Sequence, residues 1–235
     1  MITSKDNKTF KKMKKLKTKK YRDAYDEFLV YGDHLISKAK ENNSIIEIFT
    51  IDPSKEGTLI DKELMKELNQ TETMFDSVAL CKKNQIKINS SKVLILEDVQ
   101  DPSNVGALLR SASAFGFDHV YLSYKSADIY NEKTIRASQG SIFDVYIQRG
   151  NIIDFIEELK KSSYTILYAD AHDNQGKIPS KIEKLALVLG NEGSGISQEV
   201  KDISDYPVKI ETKKVESLNV SVAGSILMHH WRDWC

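Results

Sequence analysis

The sequence predicts an α/β protein built mainly on a parallel sheet. Short apolar runs alternate with helical segments through the larger, C-terminal part of the chain, which is the pattern of parallel strands joined by helices. One run, LALVL at 185–189, is apolar on both faces, as expected for a central strand of such a sheet. The chain has 235 residues, 40% of them hydrophobic, which is enough to bury a substantial core.

The first elements predict a small α/β domain over residues 23–82. The β-branched run at 45–50 lies between two turn sequences, which indicates a strand. At 61–68, apolar residues recur every three or four positions, as in a helix that buries one face. Further strands are predicted at 28–30 and 77–80, and a further helix at 32–42.

A polar stretch, residues 83–92, is predicted to link this domain to a larger one at 93–235. The stretch contains no long apolar run, and regular alternation of strands and helices begins after it. The strands are expected at 93–96, 119–122, 145–148, 165–168, 185–189 and 208–210, and the helices at 104–115, 128–138, 151–161, 197–203 and 218–231.

The charge is unevenly distributed along the chain. The 34 basic and 34 acidic residues cancel, but residues 1–22 contain ten Lys or Arg and one Asp, a net +9, which leaves −9 on the rest. A neutral average gives no reason to expect a polyanionic partner, whereas a basic arm does. From charge alone, a solvated tail and a polyanion-binding arm are both open.

Targeting and cysteine patterns predict a cytoplasmic protein. The basic N-terminus has no apolar segment of a secretory signal, although a lysine-rich organellar presequence stays open. No run approaches the roughly 18 apolar residues of a membrane span. Cys81 and Cys235 are expected to be free thiols in a reducing compartment, and without a Cys-x-x-Cys pair no metal site is expected.

Three polar segments follow predicted strands, at the edge of a parallel sheet where ligands bind. The first, 97–106, contains the turn sequence Asp-Pro-Ser-Asn and leads into a helix on which Arg110 lies beside the apolar face. The second, 190–196, has glycines that let backbone amides approach a ligand, but it lacks the glycine order of a dinucleotide site and the lysine of a phosphate loop. The third, 210–223, offers Ser217 as N-cap of the last helix. Considered singly, each segment is explained by capping, a glycine-rich turn or close packing.

Together and in this order, the segments resemble the three motifs of the SpoU/TrmH-type RNA ribose methyltransferases of the SPOUT superfamily. The matching sequences are DPSNVGALLRSASAFG, LALVLGNEGSGIS and VESLNVSVAGSIL, and the resemblance covers residues 93–231. Residues 28–80 resemble the small ribosomal-protein-like domain that often precedes this catalytic domain, through FLVYGDHLISKA and LMKELNQTETMFDSVAL.

The resemblance implies a C-terminal trefoil knot whose loops hold S-adenosylmethionine, and a homodimer in which two subunits complete the site. The implied reaction is transfer of a methyl group to a ribose 2′-hydroxyl in RNA. Carried over by position, the residues of the cofactor pocket would be Leu189, Gly190, Asn191, Ile210, Leu218 and Asn219. The catalytic set would be Asn104, Arg110, Glu192, Ser217 and Asn219.

Arg110 has an awkward role in this scheme. The family assigns to its motif arginine the removal of the hydroxyl proton, because a ribose hydroxyl is a poor nucleophile until it is deprotonated. A guanidinium normally stays protonated, so Arg110 acts as a base only if its surroundings disfavour the charged form; otherwise it orients the hydroxyl or a phosphate. Glu192 and Asn104 would hold the guanidinium and the ribose by charge-assisted hydrogen bonds.

The third motif departs from the family pattern. Ile210-Glu211-Thr212 stands where the family usually has Ile-Pro-Met, and the loop to Ser217 is one residue shorter. This departure affects the adenine pocket more than the catalytic set. It supports an alternative hypothesis, a non-catalytic RNA-binding module, and a nucleotide-binding enzyme that uses GNEGSG as a phosphate loop is a third.

The identity of the RNA is a separate question. The ribosomal-protein-like domain favours large-subunit ribosomal RNA, with transfer RNA as the alternative. An RNA substrate also favours the basic arm as an RNA-tethering segment over a passive tail. The aromatic residues of the C-terminus are interpreted as subunit packing rather than catalysis: His229, His230, Trp231 and Trp234.

Overall fold

The computed structural model describes residues 1–69, 74–83, 87–173 and 178–233, and it confirms the α/β class. The small domain has a four-stranded sheet. Its helices are α1 (Lys8–Lys15), α2 (Lys19–Tyr25), α3 (Asp33–Glu41) and α4 (Lys62–Leu68), and its strands are β1 (Glu27–Tyr31), β2 (Ile45–Thr50), β3 (Thr58–Leu59) and β4 (Ser77–Lys82). The strand order is β1-β4-β2-β3, with β4 antiparallel to both neighbours and β3 parallel to β2.

The basic N-terminal residues fold as part of this domain rather than as the separate arm expected at 1–22. Phe10, Met13 and Leu16 are buried in one cluster with apolar residues of α4 and the sheet. Arg22 is only 5% exposed, and its guanidinium pairs with Asp128 of the large domain at 2.6 Å. A solvated tail is therefore contradicted, because its apolar residues, spaced every three positions between lysines, complete the core of the small domain.

The large domain has a six-stranded, entirely parallel sheet. Its strands are β5 (Lys92–Leu96), β6 (His119–Ser123), β7 (Tyr146–Gly150), β8 (Thr165–Ala169), β9 (Leu185–Leu189) and β10 (Tyr206–Val208), in the order β10-β8-β9-β5-β6-β7. Its helices are α5 (Pro102–Phe115), α6 (Glu132–Ser138), α7 (Ile152–Lys161), α8 (Gln198–Ile203) and α9 (Val220–His230), with a short 3-10 helix at Ser141–Phe143. Every residue of the central strand β9 is buried, as its two-sided apolar sequence predicts.

Two helix starts differ from expectation because other residues cap them. The side chain of Asp101 accepts the Ser103 amide as N-cap of α5, so Asn104 lies inside the helix and does not serve as its cap. The side chain of Asn219 caps α9 by accepting the Ser221 amide at 2.9 Å, so the expectation that Ser217 is the N-cap is wrong. The side chain of Asn104 in α5 and that of Ser217 before α9 are therefore not used for capping.

The two domains share one apolar core. The largest cluster of buried residues includes Phe28 and Val30 of β1 together with Tyr130 and Val145 of the large domain. The rings of Phe28 and Tyr130 lie 4.6 Å apart. Of the predicted linker at 83–92, residue 92 already belongs to β5, and residues 84–86 lie outside the described part of the chain.

Two further sequence predictions concern cysteines and membranes. Cys81 is a free thiol, and its burial raises the thiol pKa to about 12; Cys235 and Trp234 lie outside the described residues. In the described ranges, no helix has the length and apolar character to cross a bilayer.

Candidate active site

A pocket of about 550 Å³ lies beyond the carboxyl ends of β8, β9 and β10. Binding sites of parallel sheets lie at this edge, and the volume is that of a small-molecule site. The pocket is lined by all six residues expected to bind the cofactor, Leu189, Gly190, Asn191, Ile210, Leu218 and Asn219, and by Glu192 and Ser217 of the expected catalytic set. Residues from the second and third motifs, far apart in sequence, therefore meet in one cavity.

Glu192 connects this pocket to the first motif. Its carboxylate accepts hydrogen bonds from the backbone amides of Gln100 (3.2 Å) and Asp101 (3.1 Å) and from Nδ2 of Asn104 (3.0 Å). Burial raises the pKa of Glu192, but these hydrogen bonds outweigh it and lower the pKa below its usual value. Glu192 is therefore a carboxylate at neutral pH.

Asn104 and Asn219 extend this contact into a chain of oriented side chains. Nδ2 of Asn219 donates to Oδ1 of Asn104 at 3.1 Å, and Asn104 is only 8% exposed. At one end the Glu192 carboxylate only accepts hydrogen bonds, and at the other end Oδ1 of Asn219 accepts the first amides of α9. Both asparagine amides are consequently held in one orientation.

The glycine-rich loop after β9 is closed on itself. The backbone groups of Asn191 and Gly195 exchange two hydrogen bonds of 3.0 Å. A side chain at Gly190 would place Cβ 2.4 Å from the carbonyl carbon of Gly195, so this position requires glycine. The amides of Gly193 and Ser194 donate to Oδ1 of Asn191. Because these amides are already used, the loop does not form a phosphate cradle, which counts against the nucleotide-binding hypothesis.

A wall that the sequence analysis missed closes the other side of the pocket. Lys201 of α8 pairs with Asp170 at 2.5 Å and with Asp173 at 3.1 Å, and the hydroxyl of Tyr168 donates to Asp173 at 3.0 Å. Asp170 directly follows β8, so its position at the carboxyl end of a parallel strand was a sequence signal for a site residue. Lys201 has no such signal, because its sequence position is that of an ordinary helical lysine.

Lys201 and Asp170 stabilise each other's charged forms. The hydrogen bond to Asp170 raises the pKa of Lys201. Burial raises the pKa of Asp170, but hydrogen bonds from Lys201 and from the amides of His172 and Asp173 outweigh it and lower that pKa. Both groups are thus ionised over the whole neutral range, and their ion pair connects the β8 loop to α8.

The departing third motif still forms part of the pocket. Ile210 and Thr212 line the cavity. Oγ1 of Thr212 donates to the carbonyl of Val215 at 2.5 Å, which closes the turn after β10. A side-chain hydrogen bond thus stands where the family usually has a proline and an apolar residue.

Arg110 lies outside this cavity. It is exposed on α5, about a third of a turn away from the direction of Asn104, and it makes no hydrogen bond or ion pair with a described residue. Nearby, Oγ of Ser111 and Oγ of Ser225 are 2.7 Å apart, so α5 and α9 pack side by side. One chain therefore brings together Asn104, Glu192 and Asn219, with Ser217 on the exposed rim, but it does not bring Arg110 to them.

The chemistry of the lining restricts the ligand. Leu189, Ile210 and Leu218 supply apolar surface, whereas Asp170 and Glu192 are ionised carboxylates. Such a pocket suits a ligand with an apolar part, hydroxyl groups and positive charge, and it disfavours a phosphate. Among the described residues, no group of three or more His, Cys, Asp or Glu is placed to hold a metal ion.

The fold and the site define a parallel-sheet α/β protein with a pocket for a cationic, hydroxyl-bearing ligand beyond its strand ends. The sequence model of the SpoU rRNA Methylase family matches residues 91–229, and a model described as an MRM3-like substrate binding domain matches residues 7–90. The chain therefore belongs to the SpoU rRNA Methylase family, which confirms the resemblance of its three motifs.

Full-length relatives support the same assignment. The 23S rRNA (guanosine(2553)-2'-O)-methyltransferase RlmP of Bacillus subtilis is 35% identical, over 98% of each chain. The SpoU methyltransferase AviRb of Streptomyces viridochromogenes, solved in complex with AdoMet, superimposes with a TM-score of 0.82 at 22% identity over 96% of this chain and 97% of that one. An rRNA methyltransferase of Sinorhizobium meliloti gives a TM-score of 0.86 at 22% identity over 98% and 95%. The two structures confirm the fold of both domains.

Proposed function

We propose that this protein uses S-adenosylmethionine to methylate a ribose 2′-hydroxyl of large-subunit (23S) ribosomal RNA. The observation that carries the proposal is a pocket lined by the second and third motifs, which hydrogen bonds from Asn104 to Glu192 and from Asn219 to Asn104 connect to the first motif. The full-length relative from Bacillus subtilis, named as a 23S rRNA 2'-O-methyltransferase, supports the choice of RNA. A ribosomal substrate supports a cytoplasmic location for the protein.

The pocket residues fit this cofactor by their chemistry. S-adenosylmethionine supplies an electrophilic methyl group on a positively charged sulfur. Leu189, Ile210 and Leu218 offer apolar surface for an adenine ring, and the backbone of Gly190 and Asn191 lies beside them. The carboxylates of Asp170 and Glu192 favour a cationic ligand electrostatically.

The hydrogen-bonded chain from Glu192 to Asn219 acts by positioning. Asn104 and Asn219 are fixed in orientation, so they present defined donors and acceptors to a ribose that enters from the pocket rim, where Ser217 lies. Alignment of the 2′-oxygen supplies much of the catalysis, because the electrophile is already activated. The reaction releases the hydroxyl proton, and Arg110 orients the hydroxyl or an adjacent phosphate, because a guanidinium normally stays protonated.

Arg110 completes the site of a partner subunit in a homodimer. It is exposed and outside its own pocket, and beside it on α9 the apolar residues Val222 (48% exposed) and Ile226 (45% exposed) face solvent. Arg110→Ala is expected to abolish transfer while leaving cofactor affinity unchanged. A mixture of Arg110→Ala chains with Glu192→Gln chains should recover activity, because each mixed dimer then contains one intact composite site.

Recovery in the mixture is measured as methyl transfer after the two inactive chains are unfolded together and refolded. No recovery, with mixed dimers present by mass measurement, contradicts the shared site. Light scattering of the wild-type chain tests the dimer itself, and Ile226→Glu should convert it to a monomer. The proposal includes the trefoil knot of the family, which an experimental tracing of residues 185–230 tests.

Transfer of tritiated methyl groups from S-adenosylmethionine to RNA of a strain that lacks the gene tests the activity. Label is expected in large-subunit ribosomal RNA. The phosphodiester bond that follows the labelled nucleotide should resist alkaline hydrolysis, because its 2′-hydroxyl is methylated. Label confined to transfer RNA would replace the substrate but keep the reaction. Without incorporation and without cofactor binding by calorimetry, the non-catalytic RNA-binding alternative would stand.

A further inference from the structure

A face of exposed lysines covers the two N-terminal helices. On α1, Lys8 and Lys15 are seven residues apart and lie on the side opposite the buried Phe10 and Met13. Four lysines of α1 and α2 are exposed and have no ion-pair or hydrogen-bond partner among the described residues; these form what we call the lysine face: Lys8, Lys15, Lys19 and Lys20. Four unpaired ammonium groups on two short helices create a local positive potential.

The lysine face is rigid. Phe10, Met13 and Leu16 fix α1 in the core of the small domain. The guanidinium of Arg22 on α2 donates to the carbonyls of Leu16 and Lys17 and to Asp128. The exposed charges are therefore presented at fixed positions, unlike those of a disordered tail.

A series of contacts connects the helix α2 of this face to the pocket. Arg22 pairs with Asp128, which lies just before α6. Lys133 on α6 pairs with Asp101 at 3.0 Å, and the amide of Asp101 donates to Glu192. Two ion pairs and one hydrogen bond thus lead from α2 across α6 to the pocket, at the same edge of the sheet.

The composition of the face favours nucleic acid over a lipid surface. The ammonium groups of Lys15 and Lys20 lie 5.5 and 6.0 Å from the centre of the Tyr21 ring, and Tyr21 stacks on Tyr25, which is 40% exposed. Lysine ammonium groups can bind the phosphates of a nucleic acid, and aromatic rings beside them can stack on its bases. Membrane-bound amphipathic helices insert an apolar face, whereas the apolar face of α1 is already buried in the core.

We propose that the lysine face binds the phosphate backbone of the RNA substrate and holds it across α6 toward the pocket. The proposal rests on the proposed function for the identity of the substrate. It assigns the excess positive charge of residues 1–22 to substrate binding, although those residues are folded.

The test replaces Lys15, Lys19 and Lys20 together by Gln. The matched control replaces Lys161, Lys181 and Lys184, which are also exposed but lie near the amino ends of β8 and β9, at the opposite edge of the sheet from the pocket. Each variant loses three positive charges, so a change in net charge alone affects both equally. Deletion of residues 1–20 is unsuitable because it would remove buried core residues.

The readouts are the KM for large-subunit ribosomal RNA, its salt dependence, kcat, and cofactor affinity by calorimetry. Each lost phosphate contact should reduce the slope of log affinity against log salt by about 0.7–0.9, so a reduction of about 2–3 is expected for the lysine-face variant. Its KM should rise at least about tenfold at low salt, with kcat and cofactor affinity unchanged and with the control variant like wild type.

A lysine-face variant with the KM and salt slope of wild type overturns the proposal, as does an equal effect in the control variant. Direct RNA binding, measured by fluorescence anisotropy on the same RNA, separates this result from failure of the proposed function. If the wild type binds RNA but transfers no methyl group, the proposed function fails, and the RNA affinity of the lysine-face variant still tests this inference. Binding of the wild type to anionic vesicles but not to RNA would also overturn the inference.

Discussion

At the scale of single residues, the most informative contact is that between Asn104 and Glu192. Local sequence allows two roles for Asn104, helix cap or site residue, and the position of the true cap at Asp101 decides between them. With the cap elsewhere, the Asn104 side chain is free to join two motifs that are 88 and 115 residues away. Local sequence could not decide this, because both roles use the same residue type in the same turn.

Asn104→Ala should lower kcat/KM by roughly 10- to 100-fold, because a hydrogen bond to a charged group contributes about 1.5–3 kcal/mol. The substitution removes one of the three donors to Glu192 and leaves the Asn219 amide without its acceptor. Steady-state kinetics with RNA measures the loss, and an unchanged thermal midpoint would show that the chain still folds.

A double-mutant cycle gives the sharper version of this test. Glu192→Gln alone and Asn104→Ala alone break the same hydrogen bond, so the double variant should lose much less than the product of the two single effects. Fully multiplicative losses would mean that the two side chains act independently, contrary to the 3.0 Å contact between them.

At the scale of secondary-structure elements, the ion pair from Lys201 to Asp170 connects α8 to the loop after β8. Lys201→Gln should weaken S-adenosylmethionine binding about tenfold by freeing this wall of the pocket, whereas Lys201→Arg should retain affinity because it keeps the charge. Titration calorimetry measures both. If both substitutions weaken S-adenosylmethionine binding equally, the positive charge at position 201 and its ion pair with Asp170 do not determine the affinity.

The same pair predicts how cofactor affinity depends on pH. The lowered pKa of Asp170 means that its contribution is complete above the ordinary value of 3.8 and is lost only as pH falls through the lowered value. The raised pKa of Lys201 means that its contribution is complete below the ordinary value of 10.5 and is lost only above it. Affinity should therefore be flat between about pH 5 and 9 as far as this pair is concerned. A step near neutral pH in wild type would contradict this prediction for the pair.

The elements differ in how well sequence predicts them. The strands of the large sheet lie within two residues of the predicted bounds at every end, because strands in the interior of such a sheet are largely apolar. Helices α1 and α2 were not predicted, since lysines outnumber the apolar residues that anchor them. The two-residue strand β3 is too short to show any periodicity.

At the scale of the whole molecule, the predicted pair of domains joined by a linker becomes two sheets around a continuous core. Sequence indicated where each sheet lies but not that β1 of the first domain packs against the second, because side chains that face another domain look like any other core residues. Phe28 illustrates this: it is 1% exposed, and its ring contacts Tyr130 and Phe143 of the large domain.

Because the core is shared, thermal unfolding should occur in one cooperative transition, with equal calorimetric and van't Hoff enthalpies. Phe28→Ala should destabilise the whole chain by about 3–5 kcal/mol, with each kcal/mol lowering the Tm by about 2–4 °C for a chain of this size. Phe49→Ala is the matched variant, since Phe49 is equally buried but belongs to the cluster inside the small domain. In a cooperative molecule both substitutions move the single transition. If the domains unfold independently, Phe49→Ala shifts only one of two transitions and leaves the other at its wild-type temperature, which would show that contacts such as that between Phe28 and Tyr130 do not couple the two sheets.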